Sequence, residues 1–219
     1  MDFNEKGILA FQEKRYEEAA QAFNDAIEAN PDDAVGYINF GNLLASLEEV
    51  DRAERFFQKA LTIDTTAATA YYGLANLYYN ATRFTEAARL YKEAITHELE
   101  GADAYYMLAK SLEKENKHTF ALPYMQRAAE LAKEDVQIQL SYGILLCTLE
   151  MFKEAEPQLQ YVITLDGLNA DAYYNLGVLY AVSTEDTEKA LQHLTRAYEI
   201  EPAFEQAKYM IDLIEQRLN

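Results

Sequence analysis

Apolar residues recur along this chain with the spacing of one face of an α-helix. Tyr71, Leu74 and Tyr78, for example, stand at positions i, i+3 and i+7, and several other segments share this spacing. The spacing places apolar side chains in one stripe along a helix. Short polar segments such as Thr82-Arg83 separate successive stripes, which predicts pairs of helices joined by short turns.

The pattern repeats every 34 residues, with units that start at Ala34, Ala68, Ala102, Val136 and Ala170. Three positions in each unit hold a small residue. These residues are Gly7, Gly41, Ala75, Ala109, Gly143 and Gly177; Ala19, Ala53, Ala87, Ala121, Ala155 and Ala190; and Ala26, Ala60, Ala94, Ala128, Val162 and Ala197. All but Val162 are alanine or glycine. Small side chains at fixed positions let two helices cross closely, so the pattern predicts stacked helical hairpins.

This frame divides the chain into six hairpins and a last helix, expected to form one domain over 1–219. The repeats cover approximately 1–33, 34–67, 68–101, 102–135, 136–169 and 170–204, and a cap helix covers 205–218. The sixth repeat carries one extra residue near 183–186. Pro123 and Pro157 fall inside second helices, where we expect a kink or a delayed helix start.

The 34-residue frame with these small positions resembles the tetratricopeptide repeat (TPR). Two segments further resemble the YrrB-type TPR proteins of Bacillus and related bacteria: AVGYINFGNLLASLEEVDRAERFFQKALTIDTTAATAYYGLANLYY and FALPYMQRAAEL. The resemblance implies an all-α fold, a right-handed α-α superhelix (a TPR solenoid) of six helical hairpins plus a C-terminal cap helix. It also implies that the first helices of the hairpins line the concave face.

First-helix residues that point away from the apolar stripe form the candidate partner-binding surface. Eleven candidates share this placement: Ile38, Asn39, Asn42, Tyr72, Asn76, Tyr79, Tyr106, Lys110, Ile144, Tyr174 and Asn175. Asparagine carboxamides can pair with the backbone of an extended peptide, and tyrosines offer an apolar ring with a polar tip. The alternative interpretation is that these side chains only tolerate solvent. If they bind, replacing Asn42 and Asn76 with alanine should weaken binding with little change in melting temperature.

Charge and composition exclude several classes of function. The formal net charge is −18, from 37 acidic and 19 basic residues, and no basic run offsets it, so we expect no nucleic-acid binding. The single cysteine, Cys147, excludes an internal disulfide and fits a reducing compartment. No signal-peptide pattern and no membrane-spanning apolar run occur. We therefore expect a cytoplasmic protein that does not bind membranes.

The sequence contains no constellation that carries catalysis. His97, His118 and His193 lie in different repeats without a second ligand at metal-binding spacing, and no phosphate-binding glycine loop or nucleophile motif occurs. We expect no catalytic residues, no metal and no cofactor. Cys147 is expected to be an unreactive thiol, since nothing around it in the sequence would activate a thiolate.

These observations favour a protein-interaction adaptor or scaffold that binds an extended segment of a protein or peptide partner in the concave groove. The alternative is a scaffold that self-associates or docks folded partners on its convex, acidic surface, so homo-oligomerisation stays open. Ile38, Tyr72 and Thr69 stand where TPR proteins that clamp a chaperone's C-terminal carboxylate need positive charge. The resemblance therefore does not extend to that clamp. A DNA-reading domain would need residues that the 34-residue frame does not leave free.

Overall fold

The fold is all-α, as the sequence predicts. The computed structural model describes residues 2–184 and 186–218, and within them it contains thirteen α-helices and no strand. The helices are α1 Phe3–Gln12, α2 Tyr16–Ala29, α3 Ala34–Ser46, α4 Val50–Ile63, α5 Ala68–Asn80, α6 Phe84–Thr96, α7 Ala102–Lys114, α8 His118–Leu131, α9 Val136–Thr148, α10 Phe152–Leu165, α11 Ala170–Ser183, α12 Thr187–Ile200 and α13 Glu205–Leu218. The helices α3, α5, α7, α9 and α11 begin at the residues where the 34-residue frame starts its units.

Two compact units make up the chain, unit 1 (Met1–Asn116) and unit 2 (Lys117–Asn219). Within unit 1 the first helices lie side by side, since α1 contacts α3 and α3 contacts α5. Within unit 2, α9 contacts α11 in the same way. The arrangement of the whole chain as a single domain stays a prediction.

The turn between the two helices of a hairpin has the same backbone geometry in successive repeats. Residues at one repeat position adopt a left-handed conformation with φ between 57° and 60°: Lys14, Glu48, Thr82, Asn116 and Glu150. The next residue's amide then donates to a carbonyl five residues earlier, as from Arg83 to Tyr78 at 2.8 Å. This bond satisfies a carbonyl at the end of the first helix and stops that helix.

The small positions are the places where helices meet. The second small position is fully buried in every repeat, at Ala19, Ala53, Ala87, Ala121, Ala155 and Ala190. The glycines leave room for a large side chain of the facing helix. A Cβ on Gly41 would lie 2.9 Å from the Phe57 ring, and one on Gly177 would lie 2.6 Å from Leu194. Both distances are shorter than ordinary carbon contacts, so these helices could not pack as they do with a larger residue there.

The two prolines do not delay the start of their helices, so that part of the expectation is wrong, and the kink stays a prediction. Helix α8 begins at His118 and α10 at Phe152, each five residues before its proline at Pro123 or Pro157. A proline removes one backbone donor and crowds the carbonyl four residues earlier. Here that carbonyl belongs to the first turn, and the helix continues on both sides of the ring.

Helix α13 lies where a seventh repeat would place its first helix. It has the bounds predicted for the cap helix, and α11 has 14 residues where α3, α5, α7 and α9 have 13, so the extra residue of the sixth repeat lengthens α11. Glu185 lies outside the described residues. Allowing for this residue, Asp212 occupies the small position of Gly177, and its carboxylate accepts from Lys208 at 2.7 Å. The corresponding residue in each of the six repeats is glycine or alanine, so α13 departs from the repeat pattern here.

Candidate functional site

The first helices form one surface in each unit, and the eleven candidates divide between them. The unit 1 surface consists of the exposed faces of α1, α3, α5 and α7, and the unit 2 surface consists of those of α9, α11 and α13. Unit 1 carries Ile38, Asn39, Asn42, Tyr72, Asn76, Tyr79, Tyr106 and Lys110. Unit 2 carries Ile144, Tyr174 and Asn175.

The Asn76 carboxamide is held in place by two tyrosines. The Tyr91 hydroxyl donates to Oδ1 of Asn76 at 2.6 Å, and the Tyr91 ring is fully buried. The Tyr72 ring packs edge-on against the Tyr91 ring, with 5.6 Å between centroids. Burial raises the pKa of Tyr72, Asp103 raises it further, and a hydrogen bond with Asn76 acts in the opposite direction. Asn76 therefore reaches the surface with its orientation already set.

A second group on unit 1 combines aromatic rings with a neutralised cation. The half-buried Tyr79 ring packs edge-on against Phe84 at 5.3 Å between centroids. Burial raises the pKa of Tyr79, while the nearby Lys110 lowers it. The Lys110 ammonium lies 3.1 Å from a carboxylate oxygen of Glu113, and Tyr106 lies close enough to Tyr79 to affect its ionisation. The structure thus brings Tyr79, Tyr106 and Lys110 together in one half-exposed patch.

The structure corrects the placement of two candidates on α3. Ile38 is only 7% exposed, so it packs inside unit 1 and offers little surface. Asn39 donates from Nδ2 to Oδ1 of Asn4 at 3.0 Å, which ties α3 to the neighbouring first helix α1. Asn42 is exposed. Of these three residues, Asn42 alone has the free placement that the helical pattern predicts.

The unit 2 surface is more apolar than the sequence prediction implied. Asn175 donates from Nδ2 to the backbone carbonyl of Asp171 at 2.8 Å, so part of its carboxamide serves its own helix. The Tyr174 ring packs on Phe204 with 4.9 Å between centroids. Ile144 is half-buried and packs against the hydrophobic core of unit 2. All three residues belong to unit 2, whereas the asparagine–tyrosine network belongs to unit 1.

Sequence reasoning missed Tyr91, which lies on the second helix α6. At the same position the other repeats carry apolar residues without a hydroxyl: Phe23, Phe57, Met125, Leu159 and Leu194. Tyr91 is the exception in this series. A buried hydroxyl needs a hydrogen-bond partner. That requirement is the sequence signal that could have indicated a polar partner such as Asn76.

We expect Cys147 on α9 to react slowly with alkylating reagents. Burial raises the pKa of its thiol to about 11 from an ordinary value of 9.0, which leaves roughly 100-fold less thiolate near pH 8. Iodoacetamide should therefore label the folded protein about 100-fold more slowly than the protein unfolded in urea, as followed by mass spectrometry. Equal labelling rates in the two states would contradict this expectation.

The described part of the chain has neither a metal-binding cluster nor a membrane-spanning helix. Among residues 2–184 and 186–218, no three His, Cys, Asp or Glu side chains come together as a group that could hold a metal ion. In the same part of the chain, every helix is too short or too polar to cross a lipid bilayer.

Comparisons with known proteins agree with the repeat frame. The sequence profile of the tetratricopeptide repeat matches residues 4–68 and 72–136, and a second profile of the same repeat matches 170–204. The TPR repeat-containing protein YrrB of Bacillus subtilis (strain 168) is 58% identical over 40 residues, which is 18% of this chain and 19% of that relative. The aligned stretch thus spans about a fifth of the relative's length.

Solved structures extend the likeness over most of the chain. The crystal structure of YrrB, a TPR protein with an unusual peptide-binding site, has a TM-score of 0.84 and 43% identity, over 88% of this chain and 98% of that chain. PilF of Pseudomonas aeruginosa has a TM-score of 0.77 and 20% identity, over 95% of this chain and 94% of that chain. At 20% identity the second likeness concerns the fold alone.

Proposed function

Because this chain belongs to the tetratricopeptide repeat family, we propose that it is an adaptor that binds an extended segment of a partner protein on its first-helix surfaces. TPR proteins generally mediate interactions between proteins. The proposal assigns no catalytic role to the chain, and a cytoplasmic location stays a prediction of the sequence.

The oriented Asn76 carboxamide is the observation that carries the proposal. An extended peptide presents backbone amides and carbonyls, which a carboxamide can match on both sides without reading the side chains. Asn76 is fixed by Tyr91 before any ligand arrives, so little conformational entropy is lost on binding. The exposed Asn42 stands one repeat earlier at the same position, on the same unit 1 surface. The similar protein YrrB is itself described as having a peptide-binding site.

Half-buried aromatic rings provide the rest of the proposed contact. Tyr72, Tyr79 and Tyr106 are neither fully buried nor fully exposed, and their rings stand beside the Asn76 network and the Lys110–Glu113 pair. Rigid aromatic side chains with a polar tip are typical anchors of protein interfaces. The surface therefore offers both backbone pairing and apolar contact.

We expect loss of either carboxamide to weaken peptide binding by about fivefold, since each hydrogen bond contributes roughly 1 kcal/mol. The structure changes the earlier expectation for stability. Asn76→Ala alone would leave the buried Tyr91 hydroxyl without its partner and would lower the melting temperature. Asn42→Ala, and separately the double variant Asn76→Ala with Tyr91→Phe, avoid that effect.

The measurement starts from random dodecapeptides displayed on phage and selected on the full chain. Fluorescence anisotropy of a selected, labelled peptide then gives the dissociation constant for each variant, with Phe120→Ala on a second helix as the control. Phe120 is 69% exposed at a position where other repeats have Glu18, Arg52, Glu86 and Glu154, which is the observation that favours docking on the second helices. Weaker binding by Phe120→Ala, with both asparagine variants unchanged, would replace our proposal with that alternative.

A further inference from the structure

One position on the first helices is polar in the second to fourth repeats and aliphatic in unit 2. In unit 1 the first repeat has Ile8 there, and the next three repeats have Asn42, Asn76 and Lys110. In unit 2 the same position is aliphatic, with Ile144, Val178 and Leu213, where Leu213 follows the longer α11. All three aliphatic side chains are half-buried, so each keeps part of its surface in solvent. We call these three residues the aliphatic row.

Neighbouring side chains extend the apolar character of the aliphatic row. Val182 lies one turn after Val178 on α11 and is 63% exposed, which is unusual for a large aliphatic residue within a helix. Helices α11 and α13 line a common cavity of about 380 Å³ whose walls include Val182, Met210, Leu213 and Ile214. The unit 2 surface thus combines exposed aliphatic groups with a recess large enough for a side chain.

Charge is sparse on α9 and α11, and unit 2 as a whole is negative. Helix α9 has no charged residue, and α11 has only Asp171 in its first turn. On α13 the Lys208 ammonium is paired with Asp212 at 2.7 Å, and Arg217 lines the cavity beside the apolar side chains. Residues 117–219 as a whole contain 16 acidic and 8 basic residues, a net charge of −8. An acidic segment would be repelled here, whereas basic flanks would be attracted.

We propose that the unit 2 surface binds aliphatic side chains of an extended partner segment whose flanks carry lysine or arginine. This inference rests on the proposed function, and it specifies the kind of peptide segment that the unit 2 surface binds. Water leaves the aliphatic row when such side chains bind, which is the main favourable contribution. Packed helix axes lie about 8–10 Å apart and an extended chain advances about 3.3 Å per residue. Aliphatic residues should therefore recur at every second or third position of the segment.

The test compares peptides that the wild-type chain and two variants select from the same library of random dodecapeptides. The double variant Ile144→Asn with Val178→Asn places in the aliphatic row the residue type that unit 1 has at Asn42 and Asn76. The double variant Val178→Thr with Val182→Thr keeps the β-branched shape of valine. It replaces the first variant if circular dichroism shows that the first variant does not fold. Phe120→Ala, which changes an exposed aromatic residue outside this surface, is the control.

Wild type and Phe120→Ala should enrich peptides with spaced Leu, Ile or Val and a positive net charge. The row variants should bind such a peptide about tenfold more weakly in fluorescence anisotropy. Enrichment of acidic peptides, or aliphatic peptides bound equally well by the row variants, would overturn this inference and leave the proposed function standing. Failure of the wild type to enrich any peptide would overturn both.

Discussion

Replacement of Phe57 with alanine is expected to lower the free energy of unfolding by about 3–5 kcal/mol. The Phe57 ring is fully buried and lies between Gly41 on α3 and Gly73 on α5. Neither glycine has a side chain that could move into the space that the ring would leave. The cavity would therefore stay open, and we expect the full loss that is usual for a core aromatic residue. Urea unfolding followed by far-UV circular dichroism measures it.

Phe120→Ala is the matched control for this effect. It removes the same atoms from a ring that is 69% exposed, and substitutions at such sites usually change stability by no more than about 0.5 kcal/mol. A loss below about 1 kcal/mol for Phe57→Ala would mean that α3 and α5 close around the vacated space. The packing between the second and third repeats would then be looser than the glycine contacts imply.

The repeat frame could be predicted from the sequence because one spacing determines both helix pairing and helix start. A small residue such as Ala53 or Gly41 is required wherever two helices cross, so its recurrence fixes the register of every hairpin. The first residues of α3, α5, α7, α9 and α11 follow directly from that register. The bounds of α13 also match the range predicted for the last helix, although its corresponding position holds Asp212 and not a small residue.

The left-handed conformation of the turns could not be predicted from the sequence in the same way. Glycine is the usual signal for a left-handed residue after a helix, yet Lys14, Glu48, Thr82 and Glu150 occupy these positions. Each residue there adopts a backbone conformation that is uncommon for a non-glycine residue. The tight packing of the two helices on either side sets the turn, and residue type at the turn itself carries little information.

The candidate surface was only partly predictable, and the reason is physical. A helical pattern shows which side chains point away from the partner helix of the same hairpin. It does not show what a neighbouring repeat covers, so it could not predict that Ile38 is buried or that Asn39 is hydrogen-bonded to Asn4 of the preceding repeat. Nor does it show that a buried tyrosine on the second helix, Tyr91, orients Asn76. Such contacts join residues from different helices, and they depend on how those helices are stacked.

A side chain at Gly73 is expected to destabilise unit 1 by about 1–3 kcal/mol, the usual range for overpacking a core. A Cβ on Gly73 would lie 2.5 Å from one carbon of the Phe57 ring and 2.6 Å from another. The ring cannot retreat, because Gly41 on its other side already meets it closely. Gly73→Val should therefore unfold at a lower urea concentration, although valine is a better helix former than glycine.

A smaller side chain at position 57 should recover part of the stability that Gly73→Val loses. Such a recovery would show that the loss comes from a steric clash with the Phe57 ring and not from another effect of valine. Phe57→Leu with Gly73→Val is expected to be more stable than the sum of the two single variants predicts, by about 1 kcal/mol or more in a double-mutant cycle. Gly167→Ala is the control, since its Cβ would meet only the Ile163 carbonyl oxygen at 3.8 Å. Additive losses at Phe57 and Gly73 would show that the two positions do not share one space. In that case the close contact between the second and third repeats would need another explanation. The placement of Asn42 and Asn76 on one surface depends on that contact.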